Sequence, residues 1–100
     1  MGKIARDPDM RPGGKCWVTV MTKKKVIEDG EELAAPKYHN ILGRGDIAKA
    51  IMEGKKGDTV VLSGTPDYYK DIAYKKNDRG EFKKIGISVF FIDTEKFEIV

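Results

Sequence analysis

The clearest pattern along this chain is alternation. In Lys15 to Lys25, KCWVTVMTKKK, the residues Cys16, Val18 and Val20 take every second position, with Trp17, Thr19 and Met21 between them. A period of two predicts a strand, because successive side chains of extended backbone point to opposite faces. The Cys-Val-Val face is the expected interior, which leaves Trp17 on the other side. A second run, LAAPKYHNIL from Leu33 to Leu42, predicts a strand with Tyr38 and Asn40 on one face and His39 and Ile41 on the other. Pro36 must then lie at an edge or a bulge, since it has no amide hydrogen for a ladder. Asp29-Gly30, between the two runs, is a hairpin signal.

The period changes once. From Gly45 to Gly64 the chain reads helix, tight turn, strand. Ile47, Ala50 and Ile51 form one helical stripe, with Asp46 as the expected N-cap and Gly54 as the expected left-handed C-terminal glycine. Lys55 to Asp58 turns the chain, and Thr59 to Leu62 is a β-branched, apolar run. Alternation returns in Lys84 to Ile92, where Ile85, Ile87, Val89 and Phe91 share a face and Phe90 and Ile92 share the other. Phe97, Ile99 and Val100 add a further short alternation. Between these runs, Thr65 to Glu81 is long and polar, with Asn77 to Gly80 as the turn of a hairpin. Before Lys15, only Met1 to Ala5 has strand character. Asp7-Pro8-Asp9 and Pro12-Gly13-Gly14 are turn chemistry.

Strands with one short internal helix are the outline of an OB-fold. The expected architecture is all-β: a five-stranded Greek-key barrel with the helix between strands 3 and 4, as a single domain over residues 1–100. With 40% hydrophobic and 35% charged residues, the chain has the composition of a globular domain rather than a disordered one. Its N-terminus lacks the apolar core of a signal peptide, and no apolar run has the length of a membrane span. A lone cysteine, Cys16, forms no internal disulfide and fits a reducing cytoplasm, which is the expected location. One histidine and one cysteine are too few for a zinc site, and no metal or cofactor is expected. The acids Asp7, Asp9, Glu28, Asp29, Glu31 and Glu32 fall in turns, without calcium-loop spacing. No catalytic residues stand out, and the chain reads as a non-enzyme.

The net charge of +3 permits a polyanionic partner without requiring one. Its distribution says more, because aromatic residues alternate with cations. Trp17 precedes Lys23 to Lys25, Tyr38 follows Lys37, and Tyr68, Tyr69 and Tyr74 stand among Lys70, Lys75 and Lys76. Flat rings for base stacking with cations along the backbone are what sequence-independent binding of single strands requires. The same residues also occur as ordinary strand and solvent positions. The candidate binding residues are Trp17, Lys23, Lys25, Tyr38, Arg44, Tyr68, Tyr69, Tyr74 and Lys75. Cys16 reads as a small buried hydrophobe and His39 as a structural or interface residue.

In order along the chain, several segments resemble the bacterial-type single-stranded DNA-binding proteins. Gly2 to Arg11, GKIARDPDMR, resembles that family's Gly-x-Leu-x-x-Asp-Pro-Glu-x-Arg segment. Tyr38 to Leu42 resembles its Trp-His/Ile-Arg-Val-Val strand, and Gly45 to Ala48 its Gly-Lys-Leu-Ala helix start. Lys55 to Gly64, KKGDTVVLSG, is similar to its Lys-Lys-Gly-Asp-x-Val-x-Val-Glu-Gly, and Tyr74 to Val89 resembles its hairpin aromatic, Asp-x-x-Gly turn and final β run. The resemblance implies an OB barrel that coats single-stranded DNA in replication, recombination or repair. It implies Tyr38 in place of a stacking tryptophan, Tyr74 in place of a hairpin aromatic, His39 at a subunit interface, and a homo-oligomer, usually a tetramer. The chain departs from the pattern at a nearly absent first strand and at Arg44, which stands where an aromatic often stacks. Trp17 has no counterpart, residues 65–73 read as an insertion, and there is no acidic partner-docking tail. A phage or plasmid variant, or a trimmed form, would account for both ends. The alternative reading is an OB-fold protein-interaction module, a replication or phage accessory factor with weak or no DNA binding.

Overall fold

Two long antiparallel hairpins dominate the computed structural model, which describes residues 2–100. The elements in chain order are β1 (Gly2–Ile4), β2 (Asp9–Arg11), β3 (Lys15–Glu28), β4 (Glu31–Arg44), α1 (Asp46–Met52), β5 (Thr59–Lys76) and β6 (Phe82–Ile99). The sheet order is β1-β5-β6-β4-β3-β2, and β1 also pairs with β3, which closes a ring of five strands with β2 on its margin. Counting ring strands in chain order, α1 falls between the third and fourth, as expected for an OB-fold. The closure uses one parallel contact, β4 with β6 at Ile41↔Ile92 and Leu42↔Asp93.

Alternation on β3 places the core as the pattern predicts: Cys16, Val18 and Val20 are buried, while Trp17, Thr19 and Met21 are half-buried on the outer face. Ile4, Ile41 and Val60 join them inside, and α1 caps the cluster with Ala48 and Ile51. Burial pushes the Cys16 thiol up from its ordinary value, and the nearby Asp9 carboxylate pushes it the same way.

The helix is bounded by other means than the sequence suggests. Asp46 is the first helical residue rather than the cap. The cap position belongs to Gly45, at φ 58°, with no side-chain hydrogen bond. Asp46 still adds an acid to the first turn, where the helix dipole favours it. Gly54 is not in the left-handed region. It is needed for close approach, because a Cβ there would lie 2.6 Å from Ile4 Cδ1. The left-handed glycine is Gly57, at φ 96°, in the turn where the Asp58 carboxylate accepts a bond of 2.9 Å from the Lys55 amide.

All four long strands exceed their expected bounds, β3 and β4 by a few residues and β5 and β6 by many. β5 runs on from Thr59 through the polar residues 65–76, so the segment read as an insertion is a continuous strand. β6 joins the two apolar runs into one. Asp9–Arg11, read as turn, forms a short strand on β3 at Met10↔Cys16. The Asp29-Gly30 hairpin is present, with both residues at positive φ (53° and 78°), the type I′ geometry that suits strand twist.

Neither hairpin ends where the ring ends. β1 pairs with β3 only at Val20 and Met21, and β6 meets β4 only at Ile41 and Leu42. Beyond those contacts each hairpin continues as a two-stranded arm. Pro36, opposite Lys23, sits on such a free edge and deprives no neighbour of a bond. The arms explain a radius of gyration of 16.6 Å, where about 13 Å is typical of a compact chain this long.

Candidate nucleic-acid interface

Cross-strand partners share a face, so the ladder register decides which aromatic residues can act together. On β3 and β4, Trp17 pairs with Leu42, Thr19 with Asn40, Met21 with Tyr38 and Lys23 with Pro36, all on the outer face. On β5 and β6, Asp67 pairs with Phe91 and Tyr69 with Val89, which aligns Tyr69 with Phe91. The twist of the sheet brings these sets together. Trp17 lies edge-on to Phe91 at 5.3 Å between ring centroids and to Tyr69 at 6.2 Å. Tyr69 and Phe91 are 6.0 Å apart.

This trio roofs a second small apolar layer on the outside of the ring. Leu42 and Phe91 are 2% and 8% exposed although neither faces the barrel core. Around them Arg11, Lys15 and Arg44 complete a cleft of about 620 Å³. Arg44 sits opposite Lys15 in the ladder, with Asp93 the nearest carboxylate at 3.9 Å. Arg11 is held at 2.9 Å from Asp9. A second cleft is lined by Ala5, Arg6, Thr19, Tyr38 and Asn40, and a smaller one between the two shares Trp17 with the first and Arg6, Thr19 and Asn40 with the second, and carries Asp7 and Asp9. Asn40 donates a bond of 3.4 Å to the Phe90 carbonyl, tying β4 to the root of the β5–β6 arm. The result is one groove from Tyr38 past Trp17 to Tyr69, with an exposed aromatic at each end and guanidinium and ammonium groups along its sides.

The register brings together Trp17, Tyr38, Arg44 and Tyr69, with Lys23 beside Tyr38. Lys25 shares the outer face further along its arm, where it pairs with Glu32 at 3.1 Å. Lys75 shares the Tyr69 face near the other arm's end, opposite Lys83. Tyr68 and Tyr74 are different. They point to the opposite face of the β5–β6 arm, and Tyr68 packs against Phe90 at 5.9 Å. His39 faces inward beside Val20, at a mouth of the barrel lined also by Ile41, Val60 and Leu62, with its Nε2 2.9 Å from Thr22 Oγ1.

Several groove residues were missed: Phe91, Leu42, Arg6, Arg11, Lys15 and Asn40. Adjacent apolar pairs were the available signal for two of them. Ile41-Leu42 and Phe90-Phe91 break strict alternation, as a strand covered on both faces does. Of the acids, Asp7 is structural, its carboxylate accepting a 2.9 Å bond from the Lys56 amide. The described residues hold no cluster of three or more metal-ligating side chains.

The sequence matches no protein-family model and no curated protein. Solved structures do match. A small single-stranded DNA-binding protein from Streptomyces coelicolor aligns with TM-score 0.68 and 13% identity over 99% of this chain and 88% of that one. The SSB of Plasmodium falciparum, in complex with single-stranded DNA, aligns at TM-score 0.64 and 16% identity, covering 99% and 87%. A deletion mutant of the single-stranded DNA-binding protein from Thermus aquaticus gives TM-score 0.64 and 22% identity over 99% of this chain. That alignment spans 47% of the Thermus chain, about half its length. These likenesses establish the fold as the OB-fold.

Proposed function

We propose that this chain is a non-catalytic, single-domain OB protein that binds single-stranded DNA without reading its sequence. The observation that carries the proposal is the outer groove, where Tyr38, Trp17 and Tyr69 supply stacking surfaces and Arg6, Arg11, Lys15 and Arg44 supply phosphate partners, with Lys23 on the same face beside Tyr38. Stacking suits every base, since every base has a π-face, and cations release counterions from the backbone. Three solved proteins of like fold being described as single-stranded DNA-binding supports the same reading. Arg44 replaces an aromatic platform with a planar cation that can lie on a base and meet a phosphate. Protection of exposed single strands in replication, recombination or repair follows from this activity. A homo-oligomer with His39 near a subunit contact fits the half-buried barrel mouth.

The test is titration with oligo-dT while following Trp17 fluorescence, with RNA and duplex in parallel. Quenching that weakens as salt rises is expected. No change in fluorescence or mobility at low salt with excess oligonucleotide overturns the proposal and favours a protein-interaction module, which a pull-down from nuclease-treated lysate would then reveal.

A further inference from the structure

The two arms end in opposite charge. At the end of the β3–β4 arm, Glu28 faces Glu31 across the ladder, with Asp29 in the turn. Near the end of the β5–β6 arm, Lys76 and Lys84 lie on one face, opposite Phe82 and Tyr74 in successive same-face pairs. Like charges directly opposite each other weaken a ladder. The β3–β4 arm therefore carries a local cost that an opposite charge from outside would offset.

Each end also presents apolar side chains to solvent beside those charges. Val26 and Leu33 pair with each other on the Glu28–Glu31 face and are 38% and 44% exposed. On the β5–β6 arm, Ile72, Tyr74 and Phe82 share the face that carries Lys76 and Lys84, and are 57%, 63% and 71% exposed. Opposite Ile72 stands Gly86, where an added Cβ would meet nothing within 4 Å. The arm thus has an open notch flanked by Ile72 and Tyr74, with Phe82 further toward the arm's end. An isolated two-stranded ribbon is marginal in water, and exposed apolar patches rimmed by charge are contact surfaces.

We propose that the β3–β4 arm end of one copy docks on the β5–β6 arm of a second copy. Val26 and Leu33 pack at the notch, and Glu28 and Glu31 lie against Lys76 and Lys84. The two surfaces differ, so the contact is heterologous, and a joined pair keeps one free arm of each kind for further neighbours. On the β5–β6 arm the contact uses the face opposite Tyr69, which leaves the outer groove open. The proposal goes beyond DNA binding and needs no DNA.

Sedimentation velocity of the full chain without DNA tests it. Association into species larger than those present at high salt is expected at low salt, reverting as salt screens the charges of the arm contact. Glu28→Lys with Glu31→Lys keeps a like-charge pair in the ladder, so circular dichroism should be unchanged, while self-association weakens on the order of tenfold. Adding Lys76→Glu and Lys84→Glu to that variant should restore it. A native chain that sediments alike at low and high salt, on the order of 100 μM, overturns the proposal. So does a folded double variant that associates like the native chain, or a folded quadruple variant that does not recover. Oligo-dT titration of the same samples reads DNA binding separately, so either idea can fail without the other.

Discussion

The two faces of β3 are built from neighbouring residues and do different work. Inward, Cys16, Val18 and Val20 meet the ring core and α1, and nothing there reaches solvent. Outward, Trp17 shelters Leu42 and Phe91 yet keeps part of its own ring open beside Arg11, Lys15 and Arg44. The inner face holds the fold. The outer face is a smaller apolar layer left incomplete, and a stacked base could complete it. The proposed binding surface is a core with one layer missing.

The sharpest way to separate the faces is to damage the inner one. Ile51, fully buried under the ring, should lose about 2–5 kcal/mol of unfolding free energy on Ile51→Ala, read by denaturant titration. Oligo-dT affinity of the remaining folded protein should not change. A parallel loss of affinity would mean that the two faces are not independent.

Trp17→Ala should act on the other side. Affinity for oligo-dT should fall by about 1–3 kcal/mol, the range for one stacked base, as measured by mobility shift. Stability should fall less than for Ile51→Ala, since Trp17 is only half-buried. An unchanged affinity would remove Trp17 from the groove's function.

Lys23→Ala should lower the slope of log affinity against log salt by about 0.7, the loss of one phosphate contact to a single strand. A slope that stays the same places the strand elsewhere than beside Tyr38.

The smallest effect should come from Tyr68→Ala. Tyr68 is on the far face of its arm, so short oligo-dT should bind within about 0.5 kcal/mol of native, as for surface changes in general. Tyr69→Ala should cost clearly more. If the two tyrosines reverse in rank, the strand runs along the opposite face of the arm.

What could be read from the sequence was what is local or strictly periodic. The buried face of β3, the Asp29-Gly30 turn and the edge position of Pro36 each follow from residues close together in the chain. The outer half of β5 was not legible. A two-stranded arm buries neither face, so Tyr68 to Lys76 shows no apolar alternation although it is strand. β2 was hidden because Asp9-Met10-Arg11 owes its extended form to pairing with β3 alone. Trp17 was singled out, but its partners were not. Its contact with Phe91 joins positions far apart in sequence and depends on sheet twist. Tyr68 and Tyr69 are neighbours in sequence, and their separation onto opposite faces followed only once the strand was known to continue past Leu62.

The ring closes through very little. β1 is three residues long and shares only Lys3↔Met21 and Ile4↔Val20 with β3, and Gly2↔Val60 and Lys3↔Thr59 with β5. The Ile4 amide donates to the Asp58 carbonyl at 2.9 Å and the Gly57 amide donates to the Ile4 carbonyl at 2.8 Å, and both bonds reinforce it. In hydrogen exchange this latch is where the barrel should breathe, its amides exchanging ahead of those deep in β3. An opening there leaves the long hairpins paired, so the ring can part at one seam and reseal while the outer groove keeps its shape.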